Sequence, residues 1–173
     1  MKRFVKITFV FLLMFVGSNL YAQKFALIDM EYVMKNIPSY ETANEQLTLL
    51  SKKWQSEVEL LYKEAETMSR NYQTELVFLS DDMKAKREEE ILAKEKEANE
   101  LKRKYFGPKG ELFSKRESLI KPIQEEIYNA VQEICSEKFY QMVIDKSSNP
   151  SIIFAAPKID ISDDVLQRLG YSK

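Results

Sequence analysis

The sequence predicts an α+β fold that is mostly helical, with a long antiparallel helical hairpin projecting from a small base of three short strands. The first observation is that residues 41–106 are densely charged and nearly free of glycine and proline. The second is an apolar residue at every third or fourth position, close to the coiled-coil period. The apolar series of the first half is Leu47, Leu50, Trp54, Val58, Leu61, Ala65, Met68, Tyr72, Leu76 and Leu79. At ~1.5 Å per residue such a helix is roughly 60 Å long, more than a small core requires.

The beginning of the chain has the pattern of a secretory signal peptide. Basic residues between positions 2 and 6 precede an apolar run over residues 7–16, and small and polar residues then lead to Ala22. A membrane anchor is the alternative, but the run is shorter than the ~20 apolar residues that a spanning helix needs. We therefore expect residues 1–22 to be a signal peptide that is cleaved near Ala22.

Composition excludes several classes of function. Without residues 1–22 the chain carries 23 basic and 27 acidic residues, a net charge of −4, and we expect no binding to nucleic acid. The chain contains no histidine, one cysteine and four glycines. Zinc sites, His-based nucleophile systems and Gly-rich phosphate loops are therefore not predicted. We expect no enzyme, no catalytic, cofactor-binding or metal-binding residues, and no cofactor.

The first part of the base is predicted to be a strand over Lys24–Met30, followed by a short helix from Glu31 to Ile37. Pro38 stops that helix, because the residue before a proline disfavours helical dihedrals. Ser39 is the expected N-cap of the next helix, with Thr42 as the alternative.

The arm is predicted to span residues 41–121. Its first helix runs from about Tyr40 to Leu79, a turn at residues 80–82 forms the tip, and the second helix begins at Met83. Residues 41–80 carry a net charge of −3 and residues 81–121 a net charge of +2. Folding the chain at the turn places the basic residues 102–104 opposite Glu57 and Glu59. We take this match as support for the register of the hairpin rather than for its stability.

A break in the helical pattern falls at residues 107–110. Proline removes a helix hydrogen bond and glycine lowers helix propensity, so we expect a kink or bulge there, with a complete break as the alternative. The hinge of the arm is therefore assigned to Gly107, Pro108 and Gly110.

The rest of the base is predicted to comprise residues 23–40 and 122–173. The third long helix ends near Phe139, two strands follow over Tyr140–Asp145 and Ser151–Ala156, and Ser162 caps a final helix that Gly170 closes. Cys135 is interpreted as a core residue, with an interchain disulfide or a reactive thiol as the alternative. Because so small a sheet buries little surface alone, we expect association through the base. The candidate oligomerisation residues are Phe25, Leu27, Ile28, Val143, Ile144, Ile152, Ile153 and Phe154.

The order of these elements resembles the Skp (OmpH-like) family of periplasmic outer-membrane-protein chaperones over the whole chain after the signal peptide. The resemblance is carried by the first strand with Phe25–Asp29, the strand pair Met142–Asp145 and Ile152–Ala155, and Asp160–Leu166 before Leu169-Gly170. It implies a jellyfish-like homotrimer in the periplasm. Such a trimer holds unfolded outer-membrane β-barrel proteins between its arms without ATP, and prevents their aggregation close to membrane surfaces.

The sequence departs from that family in its charge. The best-known members are strongly basic, whereas this chain has a net charge of −4, so electrostatic capture of clients and lipopolysaccharide binding are not carried over. A structural coiled-coil tether without chaperone activity is the alternative function. The arm residues that are candidates for client contact, or otherwise for the seam between the helices, are Trp54, Leu61, Met68, Tyr72, Leu76, Tyr105 and Phe106.

Overall fold

The computed structural model describes residues 24–171, so the predicted signal peptide lies outside the described residues. The described chain begins with a strand and a short helix, continues through three long helices, and ends with a second strand and a last helix. In order the elements are β1 (Phe25–Ile28), α1 (Met30–Lys35), α2 (Pro38–Glu75), a 3-10 turn (Leu76–Phe78), α3 (Asp81–Phe106), α4 (Glu111–Lys138), β2 (Met142–Asp145), a second 3-10 turn (Pro157–Ile159) and α5 (Ser162–Arg168).

The first long helix, α2, begins earlier than predicted. Its N-cap is Ile37 and Pro38 occupies the first helical turn, so the predicted caps Ser39 and Thr42 both lie inside the helix and that prediction was wrong. Proline fits the first turn because its missing N–H group has no intrahelical partner there in any case. The Thr42 hydroxyl instead donates a hydrogen bond of 3.1 Å to the carbonyl of Pro38.

The tip of the hairpin lies close to the predicted turn. Helix α2 ends at Glu75 and a single 3-10 turn carries the chain to Ser80. The Ser80 hydroxyl then accepts a hydrogen bond of 3.4 Å from the Met83 N–H group, which makes Ser80 the N-cap of α3. Asp81 and Asp82 follow in the first helical turn, where their charge complements the helix dipole.

The interruption at residues 107–110 is a complete turn and not the predicted kink within a helix. Helix α3 ends at Phe106 and α4 begins at Glu111. The Gly107 N–H group caps α3 by donating to the Arg103 carbonyl at 2.9 Å, and the Gly110 N–H group donates to the Gly107 carbonyl at 2.8 Å. A Cβ atom on Gly110 would lie 2.7 Å from the Tyr105 carbonyl oxygen, so the turn requires glycine there. The role of this turn as a hinge remains a prediction.

The base contains a two-stranded parallel sheet in the part of the chain that is described. Strands β1 and β2 pair from Phe25 opposite Met142 to Ile28 opposite Asp145. The third predicted strand, Ser151–Ala156, is not formed, and that prediction was wrong. On the far side of β1 a single bridge from Leu27 to Asp160 occupies the edge, so residues 151–156 have no place beside β1, and within the described residues they do not pair with the free edge of β2 either.

The hydrophobic core joins β1, α1, α4 and α5 in the base. Its members share almost complete burial and are Ala26, Ile28, Val33, Ile37, Ile123, Ile127, Ala130, Ile134, Ile161, Val165 and Leu166. Helix α5 closes with a Schellman motif, in which Gly170 takes a φ of 84° and the Tyr171 N–H group donates to the Leu166 carbonyl. Cys135 is not the predicted core residue: it is a free, half-buried thiol on α4, and burial raises the pKa of that thiol.

A partly buried polar network ties the end of the chain to its beginning. Ser162 is not the predicted N-cap but a buried residue of α5; its hydroxyl accepts a hydrogen bond of 2.8 Å from the Asp29 N–H group and donates one of 2.6 Å to Asp160. The Lys146 ammonium lies 2.7 Å from Asp160 and 3.5 Å from Asp29. Partial burial by itself would raise the pKa of Asp160, but the hydrogen bonds from Lys146 and Ser162 hold that pKa below its ordinary value.

We expect this network to make the base sensitive to acid. Because the pKa of Asp160 is lower in the folded than in the unfolded chain, its contribution is present above about pH 4 and is lost as the pH falls through the folded value. The variant Asp160→Asn should lower the free energy of unfolding by about 1–3 kcal/mol at pH 7. Urea unfolding of both proteins at pH 7 and pH 3, at one protein concentration, measures the difference. It should shrink at pH 3; an unchanged difference would contradict this role of the Asp160 charge.

Candidate functional site

The candidates for function in the described chain are its exposed surfaces. No group of three or more Cys, Asp or Glu residues in the range 24–171 could hold a metal ion. None of the helices in this range is long and apolar enough to cross a membrane. The candidate surfaces are the arm, its tip and the side of the base between α4 and β2.

An aromatic stack closes the arm near its interruption. The rings of Trp54 on α2 and Tyr105 on α3 are parallel within 7°, with their centroids 4.6 Å apart. The Tyr105 hydroxyl donates a hydrogen bond of 2.7 Å to the Glu57 carboxylate, which raises the pKa of Tyr105 and keeps its hydroxyl protonated. Phe106 packs edge-on against Tyr105. These contacts fix the register of α2 and α3 at the end of the arm that joins the base.

Further along the arm the seam is narrow and largely polar. The small side chains of Ala65 and Ala98 are its buried members there. The Tyr62 hydroxyl donates to the Asn99 side chain at 2.8 Å, and Lys94 lies 3.3 Å from Glu64 across the seam. Nearer the tip, Tyr72 donates to Glu88 at 2.5 Å and Arg87 lies 3.8 Å from Glu75. This register agrees with the predicted hairpin, although the basic residues 102–104 supply none of these cross-seam pairs; Lys104 lies 3.3 Å from Glu111 instead.

The predicted client-contact residues divide between the seam and the surface. Trp54 is buried in the stack, and Leu61, Met68, Tyr72 and Tyr105 are half-buried along the same stripe. Leu76 and Phe106 are exposed. Full contact of the first five with another chain would require the seam to open, and their role as client contacts stays a prediction.

Other leucines are exposed on the arm, and sequence reasoning missed them. Leu49 and Leu60 are 68% and 58% exposed on α2, and Leu92 is exposed on α3. Leu49 and Leu60 are 11 residues apart, which is about three helical turns, so they lie on one face. Each of the three adjoins a half-buried residue of the seam: Leu50, Leu61 and Ile91. The available signal was a pair of adjacent apolar residues in an amphipathic helix. Their side chains point about 100° apart, so only one of the two can face the seam.

The predicted oligomerisation residues also separate by burial. Leu27 and Ile28 are buried within the protomer, and Val143, Ile144 and Ile152 are half-buried. Phe25 is exposed beside its strand partner Met142, which is exposed as well. Ile153 and Phe154 are 96% and 83% exposed in the segment between β2 and the second 3-10 turn. Leu27 and Ile28 therefore support the protomer's own core, while the other residues leave apolar surface uncovered.

A wide groove runs along one side of the base. It has a volume of about 1470 Å³ and lies between α4 and β2. Tyr128, Val131 and Cys135 line its helical wall, and Met142 and Val143 line its strand wall. Within residues 24–171, β2 pairs only with β1, so the backbone of its other edge is open to a further strand.

Together these features define an arm-and-base protein of the α+β class. Its helical hairpin presents apolar side chains outward, and within residues 24–171 its base leaves one strand edge unpaired. The chain matches the model of the family described as outer membrane protein (OmpH-like) over residues 24–169. It therefore belongs to the OmpH-like family, which confirms the resemblance found in the sequence. This family is one of outer membrane chaperones, typically periplasmic and generally non-enzymatic.

Solved structures agree with the fold. A protein from Caulobacter crescentus, assigned as an OmpH-like outer membrane chaperone, has a crystal structure that superposes with a TM-score of 0.67. The two chains are 12% identical, and the similarity covers 87% of this chain and 90% of the other. No curated protein matches the sequence. The predicted fold class, a long helical hairpin on a small β-containing base, is confirmed, with two strands rather than three in the described range.

Proposed function

We propose that this protein is an ATP-independent periplasmic holdase that binds unfolded outer-membrane β-barrel proteins and prevents their aggregation. The observation that carries the proposal is the row of exposed leucines on a closed arm. Leu49 and Leu60 lie on one face of α2, and no part of the described chain covers them. Membership of the OmpH-like family supports outer-membrane proteins as the class of client.

The arrangement suits loose holding better than specific recognition. Burying a whole leucine side chain contributes about 1.5–3 kcal/mol, so a few separated leucines give weak contacts that break and re-form. Unfolded β-barrel segments carry alternating apolar residues and can occupy such contacts in many registers. Because the chain without residues 1–22 has a net charge of −4, apolar contact rather than attraction to acidic clients drives binding.

The proposed assembly is a homo-oligomer through the base, for which the family resemblance implies a trimer. Two observations support it: the open edge of β2 with its adjoining groove, and the exposed segment around Ile153 and Phe154. If a second copy adds this segment to the β2 edge, the unpaired backbone groups of that edge would form hydrogen bonds. The apolar side chains of the segment and of the groove would then be covered. Several arms would then surround one space.

A structural tether is the competing function, and the shape of the arm disfavours it. A rigid rod requires a continuous apolar seam, whereas here the seam thins to alanines and polar pairs and the helix is broken at residues 107–110. Small-angle scattering of a tether should show a rigid extended rod. The holdase should instead give a compact particle with several arms.

The holdase is tested by diluting a urea-unfolded outer-membrane β-barrel protein into buffer without nucleotide and recording turbidity. A molar excess of the wild-type protein should keep the client soluble. The triple variant Leu49→Ser, Leu60→Ser and Leu92→Ser should need about tenfold more protein for equal protection, which corresponds to roughly 1.4 kcal/mol of lost binding. All three positions are exposed, so the fold should be unaffected.

A matched control carries the same number of changes at exposed polar positions of the same two helices: Gln46→Ser, Lys63→Ser and Lys96→Ser. It should protect the client as well as the wild type does. Aggregation at a molar excess of wild-type protein would overturn the holdase. Equal protection by the leucine triple variant would show that these leucines do not carry it.

A further inference from the structure

The tip of the arm carries exposed apolar side chains that are not required for the reversal of the chain. Between the ends of α2 and α3 the chain reads Leu76-Val77-Phe78-Leu79. Val77 and Phe78 are 83% and 85% exposed, and Met83 is exposed on the next helical turn. Reversal of the chain depends on the Ser80 cap of α3, and turns of this kind are ordinarily built from polar residues. We propose that this tip is a wedge that inserts into the interface of a phospholipid bilayer.

The tip projects from the arm, and this convex shape favours a lipid surface as its binding partner. The exposed side chains sit on a single 3-10 turn at the end of a helix of 38 residues, so they project and do not line a groove. A protein partner would have to supply a pocket that fits the point. A fluid bilayer interface accommodates Phe and Val side chains to a depth of about 5–10 Å without a preformed site.

The charged side chains behind the tip are balanced and largely paired. Residues 73–87 contain three acidic and three basic side chains. Lys84 lies 3.2 Å from Asp81, while Arg87 lies 3.8 Å from Glu75 and 3.4 Å from Glu90. The apolar side chains at the tip would lie among the acyl chains of a bilayer. The charge-balanced residues behind them would lie at the level of the zwitterionic headgroups. Insertion should therefore depend on apolar surface and only weakly on anionic lipid or salt.

This inference goes beyond the proposed holdase, since lipid binding by the tip needs neither a client nor the leucines of the arm. In an assembly with several arms the tips would act together, and the ends of the arms would be held at a membrane surface. Weak insertion at each tip would then add to a firmer attachment.

Flotation of the purified full protein with phosphatidylcholine vesicles tests the wedge. Wild-type protein should float with the vesicles, and the double variant Val77→Ser with Phe78→Ser should lose at least tenfold in its partition coefficient. The matched control, Leu49→Ser with Leu60→Ser, also removes two exposed apolar side chains but away from the tip. It should float like the wild type, even where it fails to protect a client.

Three results would overturn the proposal. Wild-type protein that stays with the lipid-free fraction at millimolar lipid would exclude insertion, as would a tip variant that floats like the wild type. Binding that needs phosphatidylglycerol in the vesicles and disappears in 0.5 M salt would assign the contact to charged residues instead. If the wild type does not float and the tip variant protects a client poorly, the tip is a client contact. Because protection is measured separately, failure of the wedge and failure of the holdase are distinguishable.

Discussion

Replacing Trp54 with alanine is expected to open the arm at its junction with the base. The indole stacks on Tyr105 and is almost fully buried, and it is the largest side chain of the seam. Truncating a buried Trp to Ala costs about 3–5 kcal/mol, because the contacts are lost and a cavity remains. The neighbouring polar pairs cannot replace it, since exposed ion pairs contribute about 0–1 kcal/mol each. We therefore expect α2 and α3 to separate locally while the base stays folded.

Hydrogen exchange followed by mass spectrometry measures this opening segment by segment. In Trp54→Ala, amides of α2 near Glu57 and of α3 near Tyr105 should exchange much faster, and those of α4 near Ile127 should not. The conservative variant Trp54→Phe keeps a stacking ring and should stay within about 1.5 kcal/mol of the wild type. Leu60→Ala, an exposed control on the same helix, should change stability by less than about 0.5 kcal/mol. Unchanged exchange in Trp54→Ala would show that the aromatic stack does not hold the seam.

Placing a charge at Ile153 is expected to dissociate the oligomer that we propose. Ile153 is 96% exposed in the protomer, so Ile153→Asp should leave the protomer's fold intact. In an assembly that covers this segment, each copy would bury an unpaired carboxylate at the centre of an apolar contact. Such a central substitution costs about 2 kcal/mol or more per interface, and the cost is repeated at every interface of a symmetric ring.

Light scattering coupled to size exclusion gives the mass directly. Wild-type protein should run as a trimer, and Ile153→Asp should run at one third of that mass at micromolar concentration. Leu49→Asp makes the same type of change at an exposed residue of the arm and should remain a trimer. A monomeric wild type would remove the basis for a space enclosed by several arms, and a trimeric Ile153→Asp would exclude this segment from the interface.

The two variants separate the arm from the assembly. If Trp54→Ala retains the trimer but changes client protection, the effect belongs to the seam. If Ile153→Asp retains a closed seam but protects poorly, the effect belongs to the enclosure formed by several arms. Client binding through the exposed leucines predicts the second result, because a single arm presents only a few of these contacts.

Much of the arm could be predicted from the sequence because it depends on local rules. The spacing of apolar residues from Leu47 to Tyr72 defines one stripe on a helix, and Ser80 with its two aspartates marks the turn. The register followed from folding the chain at that turn, and Tyr105 indeed lies opposite Glu57. The kind of break at residues 107–110 was harder to predict, since kinks and complete turns use the same glycine and proline residues.

The exposed candidate residues could not be chosen from periodicity alone. Leu60 and Leu61 are neighbours of the same type, and only the packing of α3 decides that Leu61 faces the seam while Leu60 faces solvent. Most of the residues that sequence reasoning selected as client contacts lie along the seam, whereas Leu76 and Phe106 are exposed. The predicted stripe included Leu76 and Leu79 but not Val77 and Phe78, whose exposure became apparent only where α2 ends at Glu75.

By itself, the sequence determined the architecture of this protein: a charged helical hairpin on a small base, in the OmpH-like family. Those features follow from helix period, capping and chain reversal, which act between residues close in the chain. Only the tertiary structure decided that Ser151–Ala156 is not a strand and that Ser162 is a buried link to Asp29 rather than a cap. A strand needs a partner edge and a buried hydroxyl needs a partner group, and both are supplied by residues distant in sequence.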